Sequence, residues 1–253
     1  MKLKLMTYNI WGGQSYNEYL SGVPEQKCTR DVAPVAAVIK ESGAEVVALN
    51  EIFNCTAYGN QTEQIARIAG FPYYHFSSAL ERSVIGGFYG NALLSKYPIV
   101  KTEEKIIPAE TGVRFAEQRA VLCATLDLGE KYLDVIVSHF GLIQEEKQRA
   151  ADAVLDFKIG SDNACVFMGD MNSIRESVHA ERLKTSFSIA NEKDELVTWP
   201  AEYTAPERQH FSSPLWNRQI DYIFVSDGIS VSKTEAIYSL ASDHKALYAD
   251  VEI

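Results

Sequence analysis

A chain of 253 residues, 46% of them apolar, can bury a sizeable core without disulfide staples, and it holds no stretch approaching the roughly 20 apolar residues of a membrane span. With 24 basic against 34 acidic residues the net charge is −10, which argues against avid duplex binding, because proteins that live on nucleic acid draw most of their affinity from neutralising phosphates. GxGxxG, P-loop, CxxC and HExxH patterns are all missing, which removes the dinucleotide, nucleotide-transfer, dithiol-redox and zincin classes.

Lys2–Ile10 alternates and predicts a first strand, and the apolar run behind Lys2 and Lys4 is too short for a signal-peptide core. Asp31–Lys40 predicts a helix with Val32, Val35, Ala36 and Ile39 on one face. Glu45–Leu49 predicts a buried strand that ends at Asn50-Glu51, and Thr62–Ala69 a short helix closed by Gly70. Tyr73–Phe76, Gly87–Leu94 and Val100–Ile107 read as strands, Arg119–Leu128 and Tyr132–Phe140 as a hairpin through Gly129-Glu130. Gln144–Ile159 is amphipathic, with Ala151, Val154 and Leu155 inward and Glu145/Arg149 as a surface pair. Ala164–Met168 reads as a strand buried on both faces and stopped by Gly169, followed by a helix-like Ile174–Leu183. Beyond a polar, aromatic-rich span from Asn191 to Arg218 come three strands, Gln219–Val225, Ile229–Ile237 and Lys245–Val251. No linker, repeat or low-complexity segment divides the chain, so one domain over residues 1–253 is expected, with two packed sheets and helices outside. Cys28, Cys55, Cys123 and Cys165 read as reduced core or loop thiols, the pattern of a cytoplasmic protein.

Polar residues recur where these strands end: Asn9, Glu51, His139, Asp170, Asn172, Asp221, Asp243 and His244. Taken singly, each reads as an ordinary turn or core-edge residue. Asp221 is the sharpest, because a charge among five apolar neighbours is costly unless it is paired or functional. Asp170 and Asn172, at the end of a buried strand, are placed to offer oxygen ligands to a hard cation.

The joint occurrence of Thr7-Tyr8-Asn9, Asn50-Glu51, Gly90-Asn91-Ala92-Leu93-Leu94-Ser95-Lys96-Tyr97-Pro98-Ile99, Ser138-His139-Phe140, Gly169-Asp170-Met171-Asn172, Ile220-Asp221-Tyr222-Ile223 and Ser242-Asp243-His244 resembles the endonuclease/exonuclease/phosphatase superfamily, the metal-dependent phosphoesterases with the deoxyribonuclease-like fold. The family usually has Gln where Asn50 stands, and Asn or Thr where Ser242 stands. The resemblance implies an α+β fold, a four-layer α/β/β/α sandwich of two packed, mostly antiparallel sheets with helices outside. It further implies that Glu51, with Asn9 and Asp243, holds Mg2+ or Mn2+. By the same resemblance Asp170 orients or deprotonates the attacking water, Asn172 bonds phosphate or a second metal, Asp221 and His244 form an acid–imidazole pair, and His139 stabilises or protonates the leaving oxygen.

Arg119 stands for two readings, a bidentate fork to phosphate or a surface partner of Glu117. Loops carrying Trp11, Tyr16, Tyr19, Tyr58, Trp199, Tyr203, Phe211 and Trp216, with Arg208, His210 and Arg218 interleaved, would rim the pocket. Trp11 and Trp216 are the candidates to stack on substrate, and packing on the sheet edge is the competing fate of each. The expected partner is a phosphoester, small or lipid-derived, with nucleic acid admitted but disfavoured by the acidic charge. A non-catalytic binding module of the same fold would have lost a metal or proton-transfer residue, and none is lost.

Overall fold

The computed structural model describes residues 1–202 and 213–253. In chain order the elements are β1 (Lys2–Asn9), α1 (Tyr16–Leu20), α2 (Ala33–Ser42), β2 (Val46–Cys55), β3 (Gly59–Asn60), α3 (Gln61–Ala69) and β4 (Tyr73–Arg82). Then follow β5 (Gly87–Ser95), β6 (Ile99–Ile107), β7 (Arg119–Asp127), β8 (Tyr132–Ser138), α4 (Gln144–Ile159) and β9 (Ala164–Asp170). The last are α5 (Val178–Leu183), β10 (Ser188–Ile189), β11 (Asp221–Val225), β12 (Ser230–Ile237) and β13 (Ala246–Glu252). Local chemistry sets several boundaries. Pro34 sits in the first turn of α2, where its missing N–H costs nothing, and Asn60 caps α3 by accepting from Glu63 N–H.

The strands form a seven-stranded sheet, β12-β13-β1-β2-β5-β4 with β3 beside β2, and a six-stranded sheet, β10-β11-β9-β8-β7-β6. β1–β2 and β8–β9 pair in parallel and the other named pairs antiparallel. The sheets face each other across a core that includes Leu5, Ala48, Leu93, Val135, Met168, Ile223 and Leu247. On the far side of the first sheet, α2 and α3 pack Val35, Ile39 and Ile65 onto Met6, Tyr8 and Leu49. On the far side of the second, α4 and α5 pack Val154, Leu155 and Leu183 onto Ile136, Phe167 and Phe224. The result is the expected α/β/β/α order of layers. Each fully buried aliphatic side chain contributes about 1.5–3 kcal/mol, so these three interfaces supply most of what holds the layers together.

Strand alternation positions the polar residues. On β1, Leu3 and Leu5 face the opposite sheet while Met6 and Tyr8 face the helices, so Asn9 falls on the inter-sheet side. The same two-residue step leads from Ala48 to Asn50, from Leu93 to Asn91, from Met168 to Asp170 and from Ile223 to Asp221. At one end, therefore, the apolar inter-sheet core gives way to buried amides and carboxylates.

The expected boundaries change in four places. β2 does not stop at Leu49 but runs to Cys55, and β4 does not stop at Phe76 but runs to Arg82, because β5 continues to pair with both past irregularities at Leu49/Ile52 and Ser78/Leu80. β8 ends at Ser138, so His139 lies just beyond it. The helix after Asp170 starts at Val178 rather than Ile174, because Ser177 caps it by accepting from Ala180 N–H. Arg149 pairs with Glu110 at 2.5 Å and with the Pro108 carbonyl at 3.0 Å, not with Glu145.

Two asparagines tie the sheets at the polar end. Asn50, on β2, donates to Asn91 Oδ1 at 2.8 Å and accepts the Asp170 N–H of the opposite sheet at 3.0 Å. Asn91, on β5, donates to the Ala120 carbonyl on β7 at 3.0 Å. Asn50→Ala leaves Asp170 N–H and Asn91 Oδ1 buried without partners, so urea denaturation should show a loss on the order of 2–4 kcal/mol. An unchanged midpoint would mean that the amide bridge does not hold the sheets.

Candidate active site

Glu51 reaches the inter-sheet face through a bulge. Leu49 and Ile52 both belong to the helix-side core, so two residues, Asn50 and Glu51, occupy the space that regular alternation gives to one. Glu51 takes φ +58, a left-handed conformation uncommon for a residue with a side chain. Trp11 (φ +48) and Asn172 (φ +46) do the same, so three such residues border one cavity, a clustering characteristic of functional sites. Asp170 depends on Gly169 before it. Gly169 has φ +155, and a Cβ there would lie 1.8 Å from the Ser138 carbonyl oxygen of β8.

Asp170 is the hub. One carboxylate oxygen accepts Asn172 N–H at 2.7 Å, the other the Asn9 amide at 3.0 Å, with His139 Nε2 at 3.5 Å and His244 Nε2 at 3.8 Å. The Asn9 amide also donates to Glu51 at 3.1 Å, while its oxygen accepts Trp11 N–H at 3.1 Å. In this arrangement Asn9 turns its nitrogen, not its oxygen, toward the carboxylates. His244 Nδ1 lies 2.8 Å from Asp221 Oδ2, and both groups are buried. His139 Nδ1 lies 3.1 Å from Arg119 Nη1. A guanidinium has only protons to give, so Nδ1 is the acceptor and the ring's proton sits on Nε2. The Asn172 amide nitrogen, 3.0 Å from that Nε2, donates to the Phe140 carbonyl at 3.0 Å.

Arg119 keeps the Glu117 partner of one reading without lying at the surface. It is 6% exposed rather than at the surface, it pairs with Glu117 at 3.0 Å, and it lines the cavity.

The two histidines are driven apart. Burial, joined by the positive charges of Arg119 and His244, holds His139 well below the usual range. Burial would also lower His244, but Asp221 and Asp243 outweigh it and hold that ring well above. Burial raises Asp170, with Asp221 adding to the effect, to about 6. It raises Asp243 to about 6 as well, and it raises Glu51 against the opposing Asn9 hydrogen bond.

These groups share a cavity of about 380 Å³ whose floor holds Glu51, His139, Asp170, Asn172, Asp243 and His244 and whose walls include Trp11, Trp199 and Leu215. Trp11 is braced edge-on by Tyr16 and Tyr19, at 5.9 and 5.5 Å between centroids. Trp216 packs edge-on against Trp199 at 5.4 Å, and Trp199 meets the cavity, 6.4 Å from His244 and with its indole N–H 3.3 Å from Asp243. Tyr203, Arg208, His210 and Phe211 lie outside the described residues. Larger clefts elsewhere, such as one of about 560 Å³ beside Lys101 and Asp156, hold no such convergence of carboxylates and histidines.

Some supporting roles are not legible in the sequence, even where the residue belongs to a motif quoted above. Thr198 Oγ1 accepts both Ile220 and Asp221 N–H, at 3.0 and 3.1 Å, and Ser242 Oγ donates to the Asn9 carbonyl at 2.7 Å. Thr198 carries no signal of its own, and the Ser242-Asp243-His244 motif does not announce a bond to the Asn9 carbonyl. Asn91 does carry a signal: an amide among Ala92, Leu93 and Leu94 is a polar group in a buried strand.

Three carboxylates that burial raises toward neutrality, gathered in one cavity, are a donor set that fits a divalent cation with a preference for oxygen. Among the described residues, Asp170, Asp221 and His244 bring one ligand atom each within 4.8 Å of the others, a buried group that could hold such an ion.

Two face-packed sheets, helices on both outer faces and an acid–histidine cavity at one end define a class of phosphoester-hydrolase fold. Residues 6–244 match the Endonuclease/Exonuclease/phosphatase family, and the chain belongs to it. The family's members are phosphoester hydrolases, generally dependent on divalent metal. Among solved structures, the fold is similar to an endonuclease/exonuclease/phosphatase from Beutenbergia cavernae (21% identity, TM-score 0.77, covering 100% of this chain and 72% of that one). It is also similar to a mannosyl-6-phosphatase from Bacteroides thetaiotaomicron (13%, 0.73, 99% and 100%) and to D. rerio TDP2 complexed with single-strand DNA product (14%, 0.68, 100% and 99%).

Asp221→Asn should remove the charge that holds His244 above 6.5, leaving burial to lower the ring's pKa, as an NMR titration of the imidazole can follow. Turnover should fall by about tenfold to ten-thousand-fold with much less change in KM. A His244 pKa that stays raised would mean that Asp221 does not set its charge.

Proposed function

We propose that this chain is one catalytic domain that hydrolyses a phosphodiester or phosphomonoester, with Mg2+ or Mn2+ as cofactor, on a small or lipid-derived substrate. The observation that carries the reading is a single cavity with Asp170 set between two histidines of opposite character. Glu51 and Asp243 would hold the cation, with Asn9 orienting Glu51 through its amide nitrogen. The cation, when bound, would supply charge neutralisation at the phosphate oxygens.

The remaining groups divide the work by their chemistry. Asp170, ionised above about 6 and fixed by Asn172 N–H and the Asn9 amide, orients a water and accepts its proton. His244, kept cationic by Asp221, offers Nε2–H to a phosphate oxygen. His139, kept neutral with its proton on Nε2, is a hydrogen-bond donor to the leaving oxygen. Arg119 sets that tautomer. Trp11 and Trp199 flank the cavity where a substrate's organic portion would lie, with Trp216 bracing Trp199.

Charge supports a compact substrate over a duplex. The net charge is −10, and cationic side chains are already matched: Arg82 and Arg119 with Glu117, Arg218 with Glu176 and Glu195. No continuous basic track is left among the described residues for a phosphate backbone. Free cysteines, four among the described residues, are consistent with the reducing, cytoplasmic setting proposed here.

Purified protein should hydrolyse bis(4-nitrophenyl) phosphate or 4-nitrophenyl phosphate with MgCl2 or MnCl2 and lose that activity with EDTA. Between about 50 and 200 mM salt the rate should change only mildly, whereas duplex binding would lose affinity steeply. Metal-independent turnover would overturn the cofactor. Efficient plasmid nicking with a steep salt slope would replace the small substrate with DNA.

A further inference from the structure

A second cleft, of about 500 Å³, adjoins the catalytic cavity and shares Leu142, Asn172, Ser213 and Leu215 with it. Its lining adds Lys147 from the first turns of α4 and His179 from α5. The catalytic reading uses neither residue.

Three observations on this cleft are independent of one another. Lys147 is 8% exposed, yet its ammonium, with three protons to donate, has one acceptor among the described residues, the Asn172 carbonyl at 2.5 Å. A buried cation with so little compensation is costly, and its position near the start of a helix, the positive end, adds to that cost. His179 is 2% exposed. Its Nε2 bonds the Gln144 side-chain oxygen while its Nδ1 has no partner. Finally, α4 begins at Gln144 without a side-chain cap, since Ile143 offers no acceptor. Uncapped N–H groups and an under-compensated ammonium favour negative charge at one place, while the unpartnered Nδ1 of His179, whose Nε2–H goes to Gln144, is an acceptor beside it. Glu176, the acid lining the same cleft, pairs with Arg218 at 3.1 Å.

We propose that this cleft is the leaving-group subsite and that Lys147 recognises an anionic substituent, a carboxylate or phosphate, on the alcohol that departs. The inference rests on the phosphoesterase reading and names the substrate class for the same site: phosphoesters whose alcohol carries a second negative charge. The direction follows from Asn172, which adjoins both His139, the donor to the leaving oxygen, and Lys147. A group departing from His139 extends across Asn172 into the cleft. Ser173, Ile174 and Val178, which also line it, suit a short organic spacer between the two charges.

The test compares two substrates, 4-carboxyphenyl phosphate and the uncharged 4-acetylphenyl phosphate, by their ratio of kcat/KM. Lys147→Met should lower that ratio by about ten- to a hundredfold, as expected for a lost hydrogen bond to a charged group, and Lys147→Arg should restore much of it. Equal losses on both substrates would show that Lys147 serves the Asn172 carbonyl alone and would overturn the proposal. A second readout needs no turnover. 4-Hydroxybenzoate, titrated into chelator-treated protein, should shift the His179 ring resonances in the wild type and not in Lys147→Met. If His179 does not respond in the wild type, the subsite is wrong even if hydrolysis is confirmed. If His179 responds but neither ester is hydrolysed, the cleft stands as an anion site and the catalytic reading fails.

Discussion

The side chain of Asn50, with those of Asn91 and Asn9 beside it, joins two sheets whose core contact is otherwise apolar. It donates to Asn91 on the neighbouring strand of its own sheet and accepts the N–H of Asp170 from the other, at 2.8 and 3.0 Å. Apolar packing is non-directional and would tolerate small slides of one sheet over the other. A buried amide with both ends bonded does not, because a shift that breaks either bond strands a polar group away from water. The position of Asp170 relative to Glu51 is therefore set by hydrogen bonds that cross the sandwich, and the site inherits its rigidity from them.

Around that anchor the electrostatics follow from crowding. Asp170, Asp243 and Glu51 each titrate high because burial penalises their charge. His244 and His139, both buried, diverge because one faces Asp221 and the other faces Arg119. Pairs of titratable groups pushed in opposite directions by their surroundings are a recurrent arrangement for dividing acid from base. The same crowding also leaves the carboxylates short of positive charge, which is the physical case for a divalent cation. The bulge at Asn50-Glu51 is what delivers Glu51 to this gathering, at the cost of a left-handed backbone.

Much of the fold was legible because inward positions repeat every second residue and end in a polar one: Leu5 leads to Thr7 and Asn9, Met168 to Asp170, Ile223 to Asp221. The order of motifs along the chain carried the family. What alternation could not reveal is where it fails. Glu51 seemed to end a strand because nothing in Asn50-Glu51 announces a bulge, and β2 continues past it only because β5 is there to pair. Arg149 has Glu145 one helical turn away, yet tertiary packing gives it Glu110. Lys147 lies one helical turn before the inward-facing Ala151, so it shares the buried stripe of its helix. What periodicity does not give is its partner, the Asn172 carbonyl, which is distant in sequence. Thr198 and Ser242 act through single hydroxyls on backbone groups of other segments, a role that no local pattern encodes.

The division of roles between Glu51–Asp243 and Asp170–Asp221–His244 is the central claim, and a crystal soaked in MnCl2 tests it most directly through the anomalous signal of manganese. The arrangement predicts a peak within coordination distance of the Glu51 carboxylate on the Asp243 side of the cavity, with His244 Nδ1 still bonded to Asp221. A peak centred instead among Asp170, Asp221 and His244, with that hydrogen bond broken, would contradict it.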